Sequence, residues 1–180
     1  ADRLLDVSAL LVEAVELRVG LESGVQDQWA AAHGGASDLT IEYPDARREE
    51  IGLSAELRDA LDTRLVTVYL GRPHSSSEVH EEVIAGFATH DPTVELTRLR
   101  LPAADAAAAL RRADIDAYGD ALVVAHETVR SFHPSLVSAD ADRAVGIART
   151  HGSIGWKANG AAGNGGSISI KAGKDPLRSV

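Results

Sequence analysis

Asp27 is the residue whose type and position are best suited to chemistry. It lies in residues 24–28, GVQDQ, and the pattern after it is helical until Gly34-Gly35. A carboxylate at the start of a helix is held by backbone N–H groups and the helix dipole, and in a cleft it can accept or orient the proton of a hydroxyl. The alternative is an aspartate that only caps its helix, which is the commoner use of this residue there.

A glycine-rich segment near the end of the chain could bring backbone N–H groups close to an anion. Residues 157–166 read KANGAAGNGG, and four of the last seven are glycine. Such a loop can form a nest for phosphate oxygens. No Gly-Lys-Ser/Thr follows, which excludes a Walker A loop, and the loop leads into a strand, which argues against a dinucleotide fingerprint. The alternative is a long hairpin loop.

A third candidate segment combines a cation with three hydroxyls. Residues 71–77 read GRPHSSS. Arg72 could clamp a phosphate, and the hydroxyls of Ser75, Ser76 and Ser77 could bind phosphate or sugar. The alternative is an exposed linker whose serines cap the next helix.

Composition narrows the class of protein. The formal charge is −9 and only three of the 18 basic residues are lysine, so we expect no surface for nucleic acid or an anionic membrane. The absence of cysteine excludes disulfides and thiolate chemistry. No apolar run is long enough for a membrane span. The seven histidines lack zinc-site spacing and no Gly-x-Ser-x-Gly is present, so we expect neither a zinc site nor a serine hydrolase.

The elements that must position these segments form a mixed pattern of helices and strands. Predicted helices cover 2–19, 54–62, 78–89, 93–112, 114–132 and 139–150, with a kink at Pro102. Predicted strands cover 39–43, 47–52, 64–70, 152–157 and 167–171. Strand 64–70 is nearly all apolar, so we expect it in the centre of its sheet. A strand, a long helical excursion and a two-strand return predict an α+β lobe, preceded by a piece of another lobe.

In order and spacing, the three segments resemble the motifs of the GHMP kinases, the superfamily of galactokinase, homoserine, mevalonate and phosphomevalonate kinases. Residues 24–35, GVQDQWAAAHGG, are similar to the catalytic-aspartate segment, most of all in the D-glycero-D-manno-heptose 7-phosphate kinase and fucokinase-like branch. Residues 68–77 resemble the same branch. Residues 133–136 and 155–166 resemble the third motif, with Ala162 and Asn164 in place of two glycines. The resemblance covers residues 1–172, nearly the whole chain.

The resemblance implies a fold and an activity. The fold is part of the GHMP kinase N-lobe over 1–62, followed by a ferredoxin-like C-terminal lobe over 63–180, with the active site between the lobes. The activity is ATP-dependent phosphorylation of a sugar or sugar phosphate, at the anomeric hydroxyl, with Mg²⁺ as cofactor and in the cytoplasm. The oligomeric state stays open.

The resemblance also implies roles for individual residues. Asp27 is the catalytic carboxylate facing the acceptor hydroxyl, and Glu16 on the preceding helix binds magnesium, with Glu13 as a weaker candidate. The residues implied in substrate binding are Gln26, Arg72, Ser75, Ser76 and Ser77. The residues implied in the nucleotide-phosphate loop are Asn159, Gly160, Gly163, Asn164 and Gly165.

A phosphate-binding loop of Pro-x-x-x-Gly-Leu-Gly-Ser-Ser-Ala type belongs upstream of residue 1 in this family. We therefore expect the 180 residues to be an incomplete part of the enzyme, inactive and weak in ATP binding by themselves. The alternative hypothesis is a non-catalytic binding or assembly module that keeps the C-terminal lobe. A Gly-Leu-Gly-Ser-Ser-Ala-like loop in the upstream reading frame would favour the kinase.

Overall fold

A computed structural model gives the structure of the chain. It describes residues 26–42, 45–71, 92–160 and 166–174. The chain divides into two compact units, with the boundary between Leu53 and Ser54. The predicted lobe boundary after residue 62 stays a prediction, and the predicted helices over 2–19 and 78–89 lie outside the described residues.

The described residues form both helices and strands. The helices are α1 (Gln26–His33), α2 (Ala55–Arg64), α3 (Pro92–Arg111), α4 (Ile115–Phe132) and α5 (Ala139–Thr150). The strands are β1 (Ala36–Glu42), β2 (Asp45–Ile51), β3 (Leu65–Tyr69), β4 (Ser153–Asn159) and β5 (Ser167–Ala172). A short 3₁₀ helix, Pro134–Leu136, connects α4 to α5. This mixture confirms the predicted α+β class.

Side-chain caps explain where three of the helices begin. Ser54, Asp114 and Ser138 precede α2, α4 and α5, and each side-chain oxygen accepts the backbone N–H three residues later, at 3.2, 3.0 and 3.1 Å. Such a cap satisfies an N–H group that has no partner within the helix. The helices predicted to begin at these positions are therefore confirmed.

The first unit contains an antiparallel hairpin. Its two strands, β1 and β2, pair from Ala36 opposite Ile51 to Glu42 opposite Asp45. A hydrogen bond of 2.8 Å from Arg48 Nε to Ser37 Oγ joins the two strands through their side chains. Both strands predicted in this part of the chain are confirmed.

The second unit contains an antiparallel sheet in which the described strands have the order β3-β5-β4. The prediction that strand 64–70 lies in the centre of its sheet is wrong for the described strands, because β5 lies between β3 and β4. A nearly continuous apolar run predicts burial on both faces. The side chains of Val66 and Tyr69 are instead 54% and 65% exposed.

The core of the second unit lies between α5 and the sheet. The polar and apolar residues of α5 alternate with a helical period, so one face of the helix can pack on the strands. The buried members of this core are Val137, Ala141, Val145, Ala158 and Ile168. Partly buried side chains pack around them: Leu70, Ala144, Trp156 and Ile170.

Helix α3 packs against α4 and continues through Pro102, a fully buried residue. Proline lacks the N–H group that would bond to the preceding turn. The helix predicted over 93–112 is confirmed, and the kink at Pro102 stays a prediction. The guanidinium of Arg98 in α3 lies 5.9 Å from the centre of the ring of Phe132, the last residue of α4.

Two glycines allow the backbone of α4 to contact the backbone of β4 directly. A Cβ atom on Gly155 would lie 2.7 Å from the Cα of Gly119 and 3.0 Å from its carbonyl oxygen. A Cβ on Gly119 would lie 2.8 Å from Cδ of Lys171, a side chain with no exposed surface. The lysine stem therefore passes through space that these two glycines leave open.

The charged end of Lys171 is paired with Asp116, in the first turn of α4. The distance from Lys171 Nζ to Asp116 Oδ1 is 2.6 Å, and Arg64 Nη2 donates to the same oxygen at 2.8 Å. The donation from Lys171, supported by Arg64 and Lys174, holds the pKa of Asp116 well below its ordinary value of 3.8, although burial opposes it. Burial lowers the pKa of Lys171, and the bond to Asp116 opposes that shift.

Replacing Asp116 by asparagine is expected to reduce the free energy of unfolding at pH 7 by about 1–2 kcal/mol, less than for a fully buried pair because the Asp116 side chain is 36% exposed. Because the pKa of Asp116 is lowered in the folded protein, its charged carboxylate stabilises the fold at pH values above the ordinary pKa of 3.8. This stabilisation is lost as the pH falls further. The difference in the free energy of unfolding between wild type and Asp116→Asn should therefore become smaller below about pH 4. Urea unfolding from pH 7 to pH 3 measures this, with exposed Asp105→Asn as the control. An equal difference at every pH would contradict it.

Candidate functional site

Asp27 lies in the first turn of α1, and its carboxylate is exposed. It is the second residue of the helix, so it lies inside the first turn rather than at the cap position. The positive end of the helix dipole favours a charged carboxylate there. Gln26, the other predicted site residue in this turn, is exposed as well.

The rest of α1 is anchored to the hairpin through Trp29. This side chain is only 6% exposed and packs against Ala32, Leu39 and Ala46. Its ring stacks on His33 with centroids 5.3 Å apart and planes 10° from parallel. Because residues two apart on a helix point to different faces, the packing of Trp29 leaves Asp27 on a face turned away from the hairpin. The local sequence thus fixes the helix while keeping the carboxylate accessible.

The register of the second unit brings the ends of three strands together. Tyr69 at the end of β3 is paired with Ser167, and Ser167 is paired with Asn159 at the end of β4. We call the sheet end formed by Tyr69, Asn159 and Ser167 the loop end. Two of the predicted segments, 71–77 and 159–166, leave the sheet from this end.

Asn159 braces the loop end with its side-chain amide. Its Nδ2 donates to Ser167 Oγ at 3.1 Å, and Ser169 Oγ donates to its Oδ1 at 3.1 Å. The amide is therefore engaged within the hairpin of β4 and β5, which gives it a structural role at the base of the predicted phosphate loop.

Gly160 and Gly166 flank the part of the loop outside the described residues. Their φ angles are +65° and +80°, in the left-handed region that favours glycine. The carbonyl of Gly166 also accepts the backbone N–H of Leu70 at 2.9 Å, which ties the loop to the end of β3. Backbone of this kind can direct N–H groups toward an anion.

The other predicted site residues lie outside the described residues. These are Glu16, Arg72, Ser75, Ser76, Ser77, Gly163, Asn164 and Gly165. Their predicted roles in metal, substrate and phosphate binding stay predictions.

The fit of a magnesium ion depends on the proposed Glu16. Within the described ranges, no group of three or more His, Cys, Asp or Glu side chains could hold a metal ion. Magnesium in kinases is usually held by one or two carboxylates together with substrate phosphates, so an all-protein cluster is not required. The exposed carboxylate of Asp27 is compatible with such a site.

Sequence reasoning missed a polar network around His126. This histidine, in α4, is completely buried, and its Nδ1 accepts the backbone N–H of Ala158 at 3.2 Å. Its Nε2 lies 3.0 Å from Nη2 of Arg130, one helical turn later. The spacing of His126 and Arg130 is visible in the sequence, whereas the contact with Ala158 joins residues 32 positions apart and has no local signal.

None of the described helices is both long and apolar enough to cross a lipid bilayer.

No protein-family model matches the sequence. No curated protein matches it either.

Solved structures of kinases share the fold. The chain is similar to the L. major mevalonate kinase in complex with R-mevalonate, with a TM-score of 0.69 and 22% identity over 88% of this chain and 47% of that one. It is similar to the Lactococcus lactis galactokinase complexed with galactose, with a TM-score of 0.60 and 15% identity over 90% of this chain and 50% of that one. It is also similar to a D-glycero-D-manno-heptose 1-phosphate kinase from Bacteroides thetaiotaomicron, with a TM-score of 0.56 and 19% identity over 95% of this chain and 44% of that one.

The chain spans about half the length of these kinases or less. At identities of 15% to 22%, the similarity to these structures shows a shared fold. The mixed helix and sheet architecture is shared with these kinase structures, which confirms the predicted fold class.

Proposed function

We propose that this chain is part of an ATP-dependent kinase of the GHMP type that phosphorylates a sugar or sugar phosphate. The observation that carries the proposal is Asp27, an exposed carboxylate in the first turn of a helix whose opposite side is anchored by Trp29. The fold shared with mevalonate kinase, galactokinase and heptose-phosphate kinase structures supports it.

In this proposal Asp27 orients the acceptor hydroxyl and accepts its proton as the oxygen attacks the γ-phosphorus. The bond from the γ-phosphorus to the bridging oxygen breaks, and ADP leaves. Phosphoryl transfer requires positioning and electrostatic stabilisation more than covalent help from the protein. One exposed carboxylate in a defined helical turn is suited to that limited task.

The loop end of the second unit would contribute to anion binding. The left-handed backbone at Gly160 and Gly166 supports this role, because it allows successive N–H groups to turn toward one ligand. The segment that begins after Gly71 leaves from the same end of the sheet, so we propose that Arg72 and the serines at 75–77 bind the substrate there. Magnesium, when bound, would neutralise charge on the transferred phosphate, and we propose Glu16 as its protein ligand.

The finer proposal concerns the acceptor. The Gln-Asp-Gln segment resembles the heptose-phosphate and fucokinase-like branch, and one structural relative is named a D-glycero-D-manno-heptose 1-phosphate kinase. We therefore propose a sugar phosphate as the substrate, and from the resemblance to that branch we propose its anomeric hydroxyl as the acceptor. The use of ATP supports the cytoplasm as the compartment.

The test is an assay of the protein at its natural length with Mg-ATP and a panel of free sugars, sugar phosphates and mevalonate. We expect ADP release that depends on a sugar phosphate and is lost when EDTA removes magnesium. ADP release with mevalonate alone would contradict the sugar assignment. Binding of a panel member without ADP release at any concentration would contradict the kinase and favour a non-catalytic module.

A further inference from the structure

His126 joins α4 to the strand that leads into the predicted phosphate loop. The ring is completely buried, and Ala158, whose N–H it accepts at 3.2 Å, is followed directly by Asn159 and Gly160. Among the described strands, β4 is at one edge of the sheet. A backbone N–H at a sheet edge needs an acceptor outside the ladder, and the imidazole supplies it.

The other side of the ring faces a fixed cation. The guanidinium of Arg130 lies 3.0 Å from His126 Nε2 and donates to Asp142 Oδ2 at 3.0 Å. Arg130 also donates to the second oxygen of Asp142 and lies 3.3 Å from Glu127. Two carboxylates hold the guanidinium on the Nε2 side of the ring, whereas Nδ1 on the other side accepts the N–H of Ala158.

The ring is therefore placed between two donors. A neutral imidazole offers one acceptor nitrogen, whereas a protonated imidazole carries N–H groups on both and offers none. Protonation would place an N–H against the N–H of Ala158 and add a positive charge beside Arg130. The buried ring has no alternative solvent contact to compensate for these losses.

Charged groups from three elements face the ring, and their effects are opposed. Burial lowers the pKa of His126 from its ordinary value of 6.5, and Arg130 and Lys157 lower it further. Glu127 and Asp142 raise it. The lowered pKa is consistent with the geometry, because both favour the neutral ring.

We propose that neutral His126 is a positioning residue that holds the Asn159–Gly160 end of β4, and that its protonation releases this strand end at acid pH. The consequence for phosphoryl transfer rests on the proposed function, in which this strand end supports the anion-binding backbone. The effect on the strand end itself does not depend on that function.

The first experiment follows the strand end by NMR in the protein at its natural length, labelled with ¹⁵N. Between pH 8 and pH 5 we expect the His126 ring to titrate below 6.5 and the amide signals of Asn159 and Gly160 to shift with the same midpoint. His126→Gln keeps an acceptor and cannot titrate, so it should abolish that shift. His151→Gln, at an exposed histidine of the same unit, is the matched control and should leave the shift unchanged.

Two results would overturn the inference. One is a His126 ring that titrates at or above 6.5. The other is a pH-dependent shift of Asn159 and Gly160 that persists in His126→Gln. Either result can be obtained whether or not the protein is a kinase.

The second experiment measures kcat/KM for phosphorylation against pH. His126→Phe removes the acceptor and should lower kcat/KM about tenfold at pH 8 with an unchanged circular dichroism spectrum. His126→Gln should restore most of that loss and should weaken the fall in activity below pH 6.5 that we expect of wild type. Wild-type activity and an unchanged pH profile in both variants would refute positioning. Absence of any phosphorylation by wild type would refute the proposed function, while the NMR experiment still decides the role of His126.

Discussion

Asp27→Asn is expected to lower kcat of the natural-length protein in the proposed kinase reaction at least about 100-fold, because asparagine cannot accept the proton of the acceptor hydroxyl. Asparagine has nearly the volume of aspartate, so KM should change much less than kcat. Trp29 anchors α1 on another face and should keep the helix in place. The measurement is steady-state ADP release with the preferred sugar phosphate.

The matched control is Asp45→Asn, an exposed carboxylate on β2 of the same unit. It makes the same chemical change away from α1 and should leave kcat at the wild-type value. If Asp27→Asn kept more than about one-tenth of wild-type kcat, Asp27 would not be the acid–base residue. Equal losses in both variants would indicate a general effect of removing negative charge from this unit.

Gly155→Ala is expected to have the largest effect on stability. The added methyl carbon would lie 2.7 Å from Gly119 Cα, a backbone atom that cannot rotate away as a side chain could. Overpacking of this kind costs about 1–3 kcal/mol, and for a chain of this size that corresponds to a Tm lower by roughly 2–12 °C. Differential scanning calorimetry of the natural-length protein measures the shift.

Gly146→Ala is the control for the effect of glycine itself. Gly146 lies inside α5, and no atom would come within 4 Å of its Cβ. Alanine favours the helix there by roughly 0.5–1 kcal/mol, so Tm should stay constant or rise. A Gly155→Ala protein as stable as wild type would show that α4 and β4 can separate without cost and that their close approach is not required.

Much of the fold followed from local signals. Ser54, Asp114 and Ser138 are small polar residues just before amphipathic patterns, and each caps a helix as such residues should. The alternation of polar and apolar residues in 167–171 predicted β5 correctly. The position of a strand within its sheet has no such local signal. The apolar run of β3 resembles a buried central strand, yet Val66 and Tyr69 are exposed and β5 lies in the centre of the described strands.

The sequence predicts those residues of the candidate site that belong to a recognisable motif. It does not predict residues whose roles depend on tertiary contacts. Asp27 could be selected because its segment has a recognisable order of residues, and its exposure in α1 is compatible with the predicted role. Lys171 and His126 could not be selected, because their partners lie 55 and 32 positions away. A single lysine in a strand pattern suggests an exposed side chain, and only the open space at Gly119 and Gly155 explains its burial.

The order β3-β5-β4 has a consequence for the rate at which the second unit folds. The hairpin of β4 and β5 closes a short loop, whereas the contact of Arg64 with Ala172 beside the β3–β5 pair joins residues 108 positions apart. Closing the longer loop costs more chain entropy, and high contact order slows folding. We expect the hairpin to form early with α4 and α5 and β3 to join late. During synthesis β3 would leave the ribosome well before β5, and its backbone N–H and C=O groups would lack their strand partner until β5 arrives.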